Sequence, residues 1–326
     1  MTIHVYANTS PITRRRLALG AAGIVAASFD GCTRRPEQMT VVLDWLFNVN
    51  HMALFAAQAL GAFDRAGLKV DLVAPADPDS PARLVAAGQA DLAVSYGDQI
   101  NMLVDKGLPV ARVASLVDRP MNAIMALGDG PIRTLADLKG RRVGVSVGGV
   151  EEAMLDVMLR SAGVAPSQAT IVKVNYEMVS ALLSRQIDAA IGAFRNAEVL
   201  DLAARGAKPV VFAPEDHGVP AYDELILVAR RDRLADPRIT RLLHALHEAT
   251  TALIAQPDAV WQAYRQAHPE QDTPTVAAGW RLTAGWIARD PLRLDRARYE
   301  AFQRFALAQG VIGKLAPLDQ FAVQLG

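Results

Sequence analysis

The sequence predicts an α/β protein of two lobes, each a mostly parallel sheet flanked by helices, with a cleft between them. Three observations predict it. Short apolar runs alternate with helical patterns from Met39 onward, the alternation falls into two series, and turn-rich segments stand before and after the second series. At 326 residues, 51% hydrophobic and 21% charged, the chain is long enough for each lobe to bury its own core.

In the first series, strands are expected at Met39–Leu43, Leu68–Val73, Asp91–Val94 and Val110–Leu116. Helices are expected between them, at His51–Ala59, Pro81–Ala87 and Gln99–Lys106. The stretch Gly128-Asp129-Gly130-Pro131 suits a chain crossing between lobes. The second series then places strands at Arg142–Val147, Thr170–Val174, Asp188–Gly192 and Pro209–Phe212, with helices near Glu151–Ala162, Met178–Arg185 and Ala197–Arg205. After Gly218-Val219-Pro220 comes one more strand, Glu224–Ala229, and then only helical patterns, at Pro237–Ala255, Ala259–His268, Pro274–Ala288 and Asp295–Ala308. One crossing out and one back make the first lobe discontinuous, residues 39–128 and 221–326, and the second continuous, residues 129–220. This is the type II periplasmic-binding-protein architecture.

The N-terminus differs in kind. Thr13-Arg14-Arg15-Arg16-Leu17 precedes an apolar run from Ala18 to Phe29, the pattern of an export signal over residues 1–31, with residues 32–38 as a linker. The paired Arg14 and Arg15 fit the twin-arginine route, a general secretory signal being the alternative. Cys32, the sole cysteine, stands where the segment ends, so no internal disulfide is possible. It marks either lipidation and a membrane anchor or cleavage nearby with Cys32 as a bystander. Without residues 1–31 the chain keeps 31 basic and 33 acidic residues. Near neutrality, with no clustered positive charge, argues against a nucleic-acid partner.

Ligands of open α/β sheets bind beyond the carboxyl ends of the strands, so those loops carry the functional candidates. The first strand is followed by Asp44, Trp45, Asn48 and His51, and the third by Tyr96. In the second lobe, Gly148 and Gly149 join a strand to a helix opened by Glu151, and Asn196 and Glu198 open another. Tyr222 and Glu224 stand at the return crossing. Trp45, Tyr96 or Tyr222 would stack a flat ring, while carboxylates and amides would bond its amino and ring-nitrogen groups. Each residue also has a plainer reading: Trp45 as core, Glu151 and Glu198 as helix N-terminal carboxylates, Asn48 as a cap, His51 bonded to a carbonyl. Convergence of five segments on one cleft favours the ligand reading. His244 and His247 lie three apart on a helix without a third ligand nearby, so no metal is expected. Phosphate loop and dinucleotide fingerprint are both missing from the sequence.

At Leu43-Asp44-Trp45, Asn48 and His51, continued by Gly61-Ala62-Phe63 and Gly67-Leu68-Lys69-Val70, the chain resembles the thiamine-pyrimidine-precursor branch of the solute-binding proteins. The resemblance extends through Thr134–Gly144, Gly148–Leu159, Gly192–Glu198 and Gly218–Ala229. It implies a monomeric exported receptor that takes a formylated or hydroxymethyl aminopyrimidine to an ABC permease and its ATPase, with no cofactor. Riboflavin, sulfonate and other aromatic ligands occur on related scaffolds. The broader family also includes pyrimidine synthases that consume pyridoxal phosphate and need iron. Their lysine and histidine align with Ser95 and Gln99, and their cysteine-rich segment with Gly218–Asp223. Those departures imply binding without chemistry.

Overall fold

The computed structural model describes residues 35–325. The expected export signal, its Arg14 and Arg15, and Cys32 lie outside the described residues. Among the described residues no helix is long and apolar enough to cross a membrane.

Two five-stranded sheets organise the chain. The first has the order β2-β1-β3-β10-β4, formed by β1 (Glu37–Val42), β2 (Leu68–Val73), β3 (Leu92–Tyr96), β4 (Val110–Val117) and β10 (Leu225–Arg230). The second has the order β7-β6-β8-β5-β9, formed by β5 (Asn122–Leu127), β6 (Arg142–Val145), β7 (Thr170–Lys173), β8 (Ala189–Phe194) and β9 (Pro209–Phe212). In the first sheet β1 runs parallel to β2 and β3, and β10 lies antiparallel between β3 and β4. In the second, β6 runs parallel to β7 and β8, and β5 lies antiparallel between β8 and β9. The two halves therefore repeat one plan, and in each the antiparallel strand is the one that has just arrived from the other sheet.

This plan moves one expected boundary. The first crossing was expected at Gly128–Pro131, but β5 already pairs in the second sheet, so the chain leaves the first sheet after Val117. All six residues of β5 are buried. A strand covered on both faces shows no alternation, and Asn122–Leu127 gives the sequence reader no period to find. The strand β1 also begins at Glu37, two residues inside the expected linker.

The C-terminal helices have no sheet of their own and pack on the first one. The helix Pro237–Ala255 starts with Pro237 after Asp236, whose carboxylate accepts the Arg238 N–H. Its buried residues Ile239, Leu242, Leu246, Ala249 and Leu253 recur every three or four positions and join Met39, Leu54, Leu92 and Leu227 in one core. A separate core under the second sheet gathers Ile124, Val143, Leu155, Met158 and Ile191.

Arg112 on β4 is fully buried and ties the tail to the sheet. Its guanidinium donates to Ser115 Oγ (2.9 Å) and to the carbonyls of Arg293 (2.6 Å), Val323 (3.2 Å) and Pro291 (3.3 Å). Arg112→Ala removes the donor from all four acceptors at once, and we expect a loss of about 3–5 kcal/mol. Urea midpoints of this variant against Arg281→Ala, a change at an exposed residue, measure it.

Candidate functional site

A cavity lies where the two sheets face each other, enclosing about 540 Å³ including its mouth. The topology dictates what reaches it. Parallel strands β1, β3, β6 and β8 end there, supplying Asp44, Asp98, Glu151 and Glu198 from their following loops and helix starts. The antiparallel β5 and β10 begin on the same edge, so Asn122 and Glu224 arrive from the opposite chain direction. Five carboxylates thus line one cavity, and among the described residues lining it there is no lysine or arginine. Trp45, Tyr96 and Phe194 add ring surfaces, and Asn48, Asn50, Asn122 and Ser146 add amides and a hydroxyl.

Local backbone geometry holds the acids. Glu151 Oε2 accepts the Ser146 N–H (2.6 Å), and Glu198 Oε2 accepts the Phe194 N–H (2.8 Å). Both carboxylates sit in the first turn of their helices, so the helix-terminus reading and the cavity reading describe one placement. Glu224 Oε2 accepts the N–H groups of Met121 and Asn122 (2.9 Å to Asn122), and Asn122 Oδ1 accepts the Gly192 N–H (3.1 Å). Asp44 is bonded on both oxygens, to His51 Nε2 (2.8 Å) and to the Tyr96 hydroxyl (3.0 Å). The Asn48 N–H donates to His51 Nδ1 (3.2 Å), which leaves Nε2 to carry the proton toward Asp44. Asp98 is buried, and its Oδ1 has no hydrogen-bond partner among the described residues.

Burial without a lining cation makes these acids weak. Desolvation pushes Glu151 up to about 8, against the pull of its backbone N–H bonds. The same cause raises Glu198 and Glu224 to about 7. Asp98 is raised well above the usual carboxylate range, by burial first and by the nearby Glu224 second. At neutral pH the cavity therefore holds a mixture of carboxylic acids and carboxylates.

Of the residues expected at the site, Asp44, Trp45, Asn48, Tyr96, Glu151, Glu198 and Glu224 line the cavity. The others do not. His51 is fully buried behind Asp44 as its hydrogen-bond partner. Gly148 gives its N–H to Asp79 Oδ1 (2.6 Å), and Gly149 is the left-handed residue before the helix, beside Met102. Asn196 bonds Thr283 Oγ1 and Asn50 Oδ1 and borders an adjoining groove. Tyr222, expected to stack on a ligand, is 2% exposed and packs edge-on against Phe302 at 5.4 Å, because the return crossing turns it into the second core. Asp98 and Phe194 were missed although they stand in loops already singled out. Asn122 and Met178 carry no sequence signal, since one opens an unread strand and the other looks like an ordinary helix residue.

The model of the NMT1/THI5-like family matches residues 48–260. The chain belongs to the NMT1/THI5-like family. Within reach of that family, it is 41% identical over 290 residues to a putative thiamine biosynthesis protein of Haemophilus influenzae, covering 89% of this chain and 92% of that one. It is 37% identical over 193 residues to the formylaminopyrimidine-binding protein of Halalkalibacterium halodurans, covering 59% and 58%. Its fold is that of the alkanesulfonate-binding protein SsuA of Xanthomonas axonopodis pv. citri, with a TM-score of 0.68, 18% identity and coverage of 86% and 96%.

Two outcomes are expected from this NMT1/THI5-like cavity. Gly192 has φ +90°, and a Cβ there would stand 2.2 Å from Glu151 Oε1. Gly192→Ala should therefore displace Glu151 and cost about 1–3 kcal/mol, read as a lowered urea midpoint. The second outcome concerns pH. Glu151, Glu198 and Glu224 rise from 4.5 in the open chain to about 7–8 when folded, so between those values the folded state binds more protons than the unfolded one. Stability contributed by these groups is full below pH 4.5 and is lost as pH rises through about 8. Thermal unfolding of the ligand-free protein across that range should show a falling midpoint, and Glu151→Gln should flatten the fall.

Proposed function

We propose that the chain is the exported solute-binding receptor of an ABC importer and that its ligand is a small aminopyrimidine, a precursor of the pyrimidine half of thiamine. The observation that carries the ligand class is the acid ring: five carboxylates and no lysine or arginine line the cavity. An amino-substituted ring offers N–H donors, and a protonated ring nitrogen offers a charge, to acceptors held in place by backbone N–H groups. Trp45, Tyr96 and Phe194 supply flat apolar faces suited to such a ring. A sulfonate or phosphate would instead be set among buried acids with no countercharge. The name of the Halalkalibacterium halodurans relative agrees with this ligand class.

Residues 118–121 and 213–224 act as the hinge in this reading, since the chain passes between the sheets there. The receptor works as a monomer with a permease and its ATPase as partners. Export rests on the sequence pattern at Arg14 and Arg15, with Cys32 as the candidate lipid anchor. A receptor is favoured over a pyrimidine synthase by the donor set. Ser95 is buried and its hydroxyl donates to Gln99 Oε1 (3.1 Å), so the position aligned with a Schiff-base lysine offers no amine. The cavity also lacks a cation to hold a cofactor phosphate.

Calorimetry with formylaminopyrimidine, thiamine, riboflavin and taurine tests the ligand. Formylaminopyrimidine should bind tightest, and Glu198→Ala or Glu224→Ala should each cost about 1.5–3 kcal/mol of binding, more than Tyr96→Phe. Tight binding of taurine with none of the pyrimidine would reject the ligand class.

A further inference from the structure

Asp79 lies in the loop after β2, on the first sheet's side of the cleft, yet its hydrogen bonds reach the second. One oxygen accepts the Gly148 N–H (2.6 Å) and the other accepts Lys173 Nζ (2.7 Å) at the end of β7. Lys173 Nζ also donates to the carbonyl of Ser146, whose own N–H holds Glu151 in the cavity. A second bond crosses the same rim, from the Tyr176 hydroxyl to the carbonyl of Pro75 (2.9 Å). The Tyr176 ring meets Trp45 edge-on at 4.4 Å. None of Asp79, Gly148 or Lys173 lines the acid cavity.

We propose that Asp79 is a positioning residue that latches the cleft shut, setting ligand affinity through the closed fraction of the protein without touching the ligand. The geometry favours this role over a surface ion pair of no consequence. The Asp79 side chain is 19% exposed, and it accepts a backbone N–H from the opposite side of the cleft. Affinity scales with the fraction of molecules in the binding-competent form, so a latch acts on binding from outside the cavity. Through Lys173 and Ser146 it also steadies the backbone donor of Glu151.

The affinity arm of the test rests on the receptor reading above; the scattering arm does not. Ligand-free protein, as the full chain, is compared with Asp79→Asn and Lys173→Met by small-angle scattering and by binding of formylaminopyrimidine. Each variant should raise the radius of gyration without ligand and weaken binding about tenfold, equal to 1.4 kcal/mol at 25 °C. The loss should fall in the dissociation rate, and the double variant should be no weaker than about tenfold, since both changes break one latch. An unchanged radius of gyration in Asp79→Asn overturns the latch, as does additive weakening in the double variant. If formylaminopyrimidine fails to bind the unaltered protein, the ligand reading falls and the scattering comparison alone decides the latch.

Discussion

Everything in this molecule depends on the two crossings of the chain between its sheets. Each crossing ends in one antiparallel strand, β5 in the second sheet and β10 in the first, and β10 completes a sheet begun by β1 to β4. A strand entering against its neighbours begins where they end. For that reason both crossings deliver residues to the one edge that parallel strands leave open for a ligand, and Asn122 and Glu224 join the acids there. The first sheet is completed only by β10, a strand that follows the whole of the second sheet in the chain.

The cavity that results is electrostatically unusual. Burying a carboxylate is costly, and the ordinary remedy is a paired arginine or lysine. Here the compensation is backbone N–H groups at Ser146, Phe194, Met121 and Asn122, a tyrosine hydroxyl and an imidazole nitrogen. These partners hold the oxygens in place and leave the desolvation largely uncompensated, which is why the glutamates titrate near neutrality. A ligand rich in N–H groups completes what the protein leaves undone. Preorganised acceptors of this kind give specificity by what they refuse as much as by what they hold, since an anion finds nothing to offset five acids.

The cationic groups near the cleft are turned to other tasks. Lys173 faces Asp79 and the Ser146 carbonyl, and Arg195 pairs with Glu215 and lies over the Trp286 ring. Positive charge thus reinforces the rim and the hinge region and stays off the cavity wall. Gly148 belongs to the same division of labour, with its N–H spent across the cleft.

The sequence by itself determined the fold class, because alternating strand and helix patterns in two series leave few ways to bury both faces of two sheets. It also determined that acids and rings stand at the strand ends: Asp44, Trp45, Tyr96, Glu151, Glu198 and Glu224 were all legible there. Only the tertiary structure decided how they meet. β5 is buried on both faces and carries no period, so the true crossing and the arrival of Asn122 could not be read. Tyr222 and Glu224 are two residues apart at the same crossing, and packing alone sent one ring into the second core and the other side chain into the cavity. The fate of Gly148 and Asn196 was decided likewise by bonds to residues far along the chain, Asp79 for one and Asn50 and Thr283 for the other, and His51 is buried behind Asp44. Spacing along a chain places a residue at a strand end; the direction it faces is settled by what packs around it.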